Sequence, residues 1–132
     1  LHDPRPFRDF IWREDHVSAY IHLTRELVKN PERLYGEAFN FCTGDSWSIG
    51  RMAHYVAGLV YEKTGRMVQV QFKQVPDRPL DIPKLQGINA KAREWLGWEP
   101  SCTIAEALEK AVEEWLLVLR SSSAPSHQAI SP

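Results

Sequence analysis

The residues of this 132-residue chain best suited to chemistry are three arginines and an aspartate. Arg78 and Asp81 stand three apart in "PDRPLDIPKLQG", Pro76 to Gly87, where three prolines make poor material for helix or strand. An arginine on a loop stiffened by prolines loses little backbone freedom on binding, and its planar fork matches two phosphate oxygens at once. An aspartate accepts hydrogen bonds from vicinal hydroxyls such as those of a ribose. Phosphate plus ribose is a nucleotide; the plainer alternative is a surface Arg–Asp pair. Arg8 in "FRDF" and Arg13 in "WRED" are the other basic residues near strand ends and loops.

Other chemistries find less support. No G-x-G-x-x-G follows a strand, and neither G-x-x-x-x-G-K-S/T nor G-x-S-x-G occurs, so dinucleotide, nucleoside-triphosphate and serine-hydrolase sites have no motif within the chain. His2, His16, His22, His54 and His127 are scattered. His16 and His22 are six apart on one helix and so on different faces, which predicts no metal. Cys42 on a strand and the distant Cys102 form no CxxC pair and read as buried thiols. Of the five tryptophans, Trp95, Trp98 and Trp115 fall on or near apolar helical faces and read as core, while Trp12 and Trp47 are left open.

The elements that must hold these residues alternate. "FRDFIW", "EAFNFC" and "VQVQF" read as short strands. Asp15 is placed to cap a helix with Val17, Tyr20, Ile21, Leu27 and Val28 as its apolar face, stopped by Asn30-Pro31. Ser48 is placed to cap a second, with Ile49, Met52, Ala53, Val56, Leu59 and Val60 on one side and Gly65 at its end. A short helix follows around "NAKAREWL" and stops at Gly97. Thr103 and Glu106 then form a T-x-x-E capping box before a last helix whose inner face is Ile104, Leu108, Ala111, Val112 and Trp115. The expected fold class is α/β with few short strands and about four helices, too little for a complete doubly wound sheet.

Composition bounds the rest. One domain fits this length. Lys+Arg of 16 against Asp+Glu of 17 gives a net charge of −1, which argues against nucleic acid as a partner. No apolar run approaches the ~18 residues of a membrane span, and no secretory signal opens the chain, so no membrane partner and a cytoplasmic location are expected. The start at Leu1 reads as the middle of something longer, cut or truncated. Residues 121–132, "SSSAPSHQAISP", read as a disordered tail and leave 1–120 as the domain.

Four segments together resemble a family. "FRDFIWREDHVSAYI", "AFNFCTGDSWSIGRMAHYV", "RPLDIPKLQGINAKAREWLGWEP" and "TIAEALEKAVEEW" are similar to the C-terminal part of the extended short-chain dehydrogenases/reductases, the NAD(P)-dependent nucleotide-sugar epimerases and 4,6-dehydratases. The resemblance spans about residues 5 to 116 in the family's order and spacing. "RPLDIPKLQG" looks most like the GDP-mannose 4,6-dehydratase branch, with "RDF" where core GDP-mannose dehydratases have "RDW". One departure is Ile88, where relatives carry an Asp before the short helix; Asn89 is then the expected cap.

The resemblance implies a substrate-binding region without its Rossmann domain. Arg8 and Arg78 match the family's diphosphate-contacting arginines, and Asp81 matches the acidic residue that holds the nucleotide ribose. The clamp requires Arg8 and Arg78, 70 residues apart, to converge on one cleft. Asp9 and Asp15 read instead as strand-end and helix-cap residues. None of Tyr20, Tyr35, Tyr55 and Tyr61 has a lysine four residues on, so the family's catalytic Tyr-x-x-x-Lys is missing and no catalytic residue is expected. The implied partners are a nucleotide-diphosphate sugar, a GDP-sugar slightly ahead of UDP or dTDP, and the Rossmann domain of the same enzyme. A face meant for that domain would be exposed and would favour a homo-oligomer. NAD or NADP belongs to the full-length family's lyase and isomerase chemistry, with no cofactor and no turnover expected of this chain alone. The alternative is a stand-alone binding or interaction module derived from such a domain.

Overall fold

Helices carry the fold, and several of their ends rest on residues that satisfy loose backbone groups. The structure, a computed structural model, describes residues 3–73 and 82–122. Five helices and two short strands occur among them, in the order β1 (Phe7–Arg8), α1 (Arg13–Lys29), α2 (Pro31–Leu34), β2 (Trp47–Ser48), α3 (Ile49–Thr64), α4 (Ala90–Leu96) and α5 (Ile104–Ser122). The α/β class with few short strands holds, with the single turn α2 added to the four expected helices. Pro31 opens that turn, where its missing N–H costs nothing.

Two of the expected N-terminal caps form as read. The Ser48 Oγ accepts from Arg51 N at 3.1 Å at the start of α3. Gly65 ends that helix at φ 69°, a left-handed conformation that suits a residue without Cβ. At α5, Glu106 Oε2 accepts from Thr103 N at 2.8 Å while Thr103 Oγ1 accepts from Glu106 N at 3.3 Å, the reciprocal box. Two others differ. The cap position of α1 is Trp12, which supplies no side-chain bond, and Asp15 lies in the first turn. Its buried carboxylate instead accepts from Ser101 N at 2.9 Å and faces the Cys102 thiol, fastening the turn before α5 to α1. Asn89 stands at the cap position of α4 but spends its amide on the Cys42 carbonyl at 2.9 Å.

The strands depart further from expectation. β1 pairs antiparallel with β2 in the register Phe7↔Ser48 and Arg8↔Trp47, so only two residues of "FRDFIW" form a ladder. Neither "EAFNFC" nor "VQVQF" is a strand. A strand needs a neighbour to take its N–H and C=O groups, and none stands beside these segments among the described residues. The alternation of "EAFNFC" still half-buries Phe39 and Phe41, whereas Val68 of "VQVQF" is 50% exposed. Phe39 meets Trp95 edge-on, Phe41 meets Trp98 edge-on, and Val68 to Gln71 lie along Met52, Ala53, Val56 and Val60 of α3.

The core forms around Trp98, 1% exposed, with Ala19, Leu34, Ala92 and Leu96. Alanines at both Ala19 and Ala92 let α1 and α4 approach closely, and the Trp98 indole N–H donates to Ser18 Oγ at 2.9 Å. The inner side of α1 is thus Asp15, Ala19 and Leu23, not the larger apolar set. Val17, Tyr20, Ile21, Leu27 and Val28 are all exposed, Val28 by 80%. Hydrophobic spacing located a stripe correctly but not the side facing this core. Trp115, expected on the inner face of α5, is likewise 66% exposed. Trp47, left open by its sequence context, is buried and hydrogen-bonded to Asp45. No described helix is long and apolar enough to cross a membrane. The last helix runs to Ser122, two residues into the segment read as a tail; residues 123–132 lie outside the described part.

Candidate functional site

β1 is only two residues long, yet two segments flank it. Along one side runs β2. Along the other, Phe7 N donates to Pro83 O at 2.8 Å and Leu85 N donates to Phe7 O at 3.0 Å, a parallel bridge between Phe7 and Lys84. The end of the proline-rich loop is therefore laid beside the strand that carries Arg8.

Arg8 itself is half-buried. Its Nη1 donates to the Phe7 carbonyl at 2.7 Å and to the Ile82 carbonyl at 2.9 Å. These two carbonyl bonds orient one arm of the guanidinium. Arg78 and Asp81, the other two candidates, lie outside the described residues. Arg13, the remaining loop-end arginine, is engaged elsewhere: its Nε and Nη2 bind Glu14 and Glu114, at 2.7 and 3.0 Å.

The loop after Asp81 is fastened at several further points. Gln86 Nε2 donates to Gly44 O at 2.5 Å, and Gln86 Oε1 accepts from Ser46 Oγ at 3.3 Å. The Asp9 carboxylate reaches Gly87 N at 3.2 Å and also Thr43 and Gly44. This role of Asp9 escapes a reading of the sequence, which makes it a strand-end residue. The available signal was the Thr43-Gly44 turn, whose N–H groups need an acceptor.

Other reactive groups are quiet. Burial, and then the nearby Asp9 charge, push the Cys42 thiol up from its ordinary range; burial and Asp15 do the same at Cys102. A protonated thiol is a poor nucleophile, consistent with core cysteines. His22 and His54 bond the carbonyls of Ser18 and Gly50 on their own helices, at 2.9 and 2.8 Å. Among the described residues no group of three or more His, Cys, Asp or Glu could hold a metal ion. Among the described residues the arrangement places the cationic Arg8 side chain beside the Ile82 end of the proline-rich loop.

Comparison with known proteins gives the context. The family model described as GDP-mannose 4,6 dehydratase matches residues 1–111. A UDP-glucose 4-epimerase of Mycolicibacterium smegmatis is 30% identical over 106 residues, 80% of this chain and 30% of the relative. Among solved structures, UDP-glucose 4-epimerase of Thermotoga maritima with UDP-glucose aligns at a TM-score of 0.65 and 26% identity, over 90% of this chain and 35% of that one. The dTDP-glucose 4,6-dehydratase of Bacillus anthracis in complex with NAD aligns at 0.67 and 19% identity, over 89% and 34%, a likeness of fold. The RMD structure from Pseudomonas aeruginosa, complexed with NADPH, aligns at 0.65 and 24%, over 87% and 34%. The chain spans about a third of the length of these relatives.

Proposed function

Since the chain belongs to the GDP-mannose 4,6-dehydratase family of NAD-dependent nucleotide-sugar epimerases and dehydratases, we propose that it is the substrate-binding part of such an enzyme. Its task is to hold the diphosphate and ribose of a nucleotide sugar. Arg8 and Arg78 grip the diphosphate, and Asp81 takes the ribose hydroxyls. The observation that carries the reading is the bond from Arg8 to the Ile82 carbonyl, which joins the first arginine's strand to the residue next to Asp81.

Binding of this kind positions a sugar; it does not transform one. The hydride chemistry falls to a nicotinamide and a Tyr-x-x-x-Lys pair on the Rossmann domain of the same enzyme, the chain's proposed partner. The chain alone is then inactive. For the base, the match to the GDP-mannose dehydratase model and the "RPLDIPKLQG" motif favour a GDP-sugar. The relatives' names, with UDP-glucose and dTDP-glucose among them, make UDP and dTDP the competitors to test.

Titration calorimetry of the chain with GDP, UDP and dTDP tests the reading directly. Arg8→Ala should weaken the preferred nucleotide by roughly tenfold or more, since a charge-assisted hydrogen bond contributes about 1.5–3 kcal/mol. In the full-length enzyme, Arg78→Ala should raise KM roughly ten- to a hundredfold with kcat little changed, because the diphosphate is held alike in ground and transition states. Asp81→Ala should weaken binding less. Loss of kcat with KM intact would place these residues in the chemical step and defeat the clamp.

A further inference from the structure

Asp9 follows Arg8 directly, and its carboxylate is the meeting point of two distant loops. Oδ1 accepts from Thr43 N at 2.9 Å and Thr43 Oγ1 at 2.5 Å. Oδ2 accepts from Gly44 N at 3.1 Å and Gly87 N at 3.2 Å. All four donors are uncharged, and three are backbone N–H groups. A carboxylate has acceptor sites for four donors at once, which no amide or hydroxyl of similar size provides.

The approach of Gly87 is as close as glycine permits. A Cβ at that position would lie 2.5 Å from the Cys42 Sγ and 2.8 Å from its Cβ. Backbone at Gly87 is therefore pinned between Cys42 and Asp9. Five residues earlier in the same segment is Ile82, whose carbonyl holds the Arg8 guanidinium, and the residues between pair with Phe7. The segment has one anchor at each end and a bridge in the middle.

We propose that Asp9 is a positioning residue for Arg8. Through Gly87 it sets the register of residues 82–87 along β1, and so the place of the Ile82 carbonyl that fixes the direction of the Arg8 fork. The Thr43-Gly44 turn, held by the same carboxylate, braces the far side. The inference rests on the reading of Arg8 as a diphosphate ligand, and it adds that Asp9 acts on binding without touching the nucleotide.

Asp9→Asn tests it, because one oxygen becomes an NH₂ that confronts N–H donors. GDP is the probe, titrated into the chain and followed by calorimetry and NMR. Expected are an affinity about five- to tenfold weaker, faster exchange of the Gly44 and Gly87 amides, and a shifted Arg8 Nε–H resonance. A merely structural role would leave that resonance in place. The amides of α3 and α5 should keep their protection. Gly87→Ala should reproduce the loss by driving a methyl at Cys42, and it serves if Asp9→Asn does not fold. Arg8→Ala separates the two readings. If it leaves GDP affinity unchanged, the diphosphate role of Arg8 fails and this inference with it. If it weakens GDP while Asp9→Asn and Gly87→Ala do not, the positioning role alone is overturned.

Discussion

Asp15 shows what one buried carboxylate does here. It is 3% exposed, and its acceptors serve the Ser101 N–H and the Cys102 thiol across 86 residues of sequence. Asp15→Ala leaves those donors without their partner and should destabilise the chain by about 1–3 kcal/mol, read from urea unfolding. The neighbouring thiols make a second residue-scale test. Cys42 and Cys102 are 8% and 9% exposed, and burial raises both. Since the thiolate is the reacting form, both should resist a disulfide reagent such as DTNB near pH 8 and react promptly only in denaturant. Fast labelling of the native chain would show that one of them is open and activated.

At the scale of elements, the caps are where local sequence sets stability. Ser48→Ala removes the Oγ that takes Arg51 N and should cost about 1 kcal/mol in thermal or urea unfolding. The capping box of α5 adds a pH dependence. The backbone bond from Thr103, then its hydroxyl, hold the Glu106 carboxyl below its ordinary range. A folded value below the unfolded one means that the box stabilises the helix above the ordinary glutamate pKa of about 4.3. That contribution is lost as pH falls through the folded value. Amides in the first turn of α5 should therefore exchange faster on acidification below the ordinary glutamate range. Glu106→Gln, with no proton to bind, should flatten that response. These boundaries were legible in the sequence because a cap needs only residues within four positions. The strands were not: "VQVQF" alternates well, yet a ladder requires a partner that spacing cannot reveal.

Over the whole molecule, two apolar faces stand exposed among the described residues. One is the α1 stripe of Val17, Tyr20, Ile21 and Val28; the other is the end of α5, with Trp115, Val118 and Leu119. Contiguous exposed apolar surface of this kind marks contact with another body. The chain should bind a hydrophobic dye and associate as its concentration rises, and Ile21→Glu should reduce both, as read by dye fluorescence and light scattering. A monomer blind to the dye would contradict the reading of α1 as an interface. NADH makes a separate test of the substrate-binding assignment. Energy transfer from the tryptophans should show no stoichiometric binding, since no glycine-rich strand-to-helix turn offers a cradle for the pyrophosphate.

By itself the sequence determined four of the five described helices, several of their ends and the family, because each of these rests on residue type at short spacing or on motifs in order. Which side of α1 faces the core was decided by tertiary structure: small Ala19 against Ala92 allows a close approach that the bulkier stripe would prevent. The same holds for Asp15 and Asp9. Each looked like a local residue at an element's end, and each proved to be a long-range acceptor, since a carboxylate bonds whatever donors the folded chain brings within 3 Å and nothing in its neighbours along the chain says which those will be.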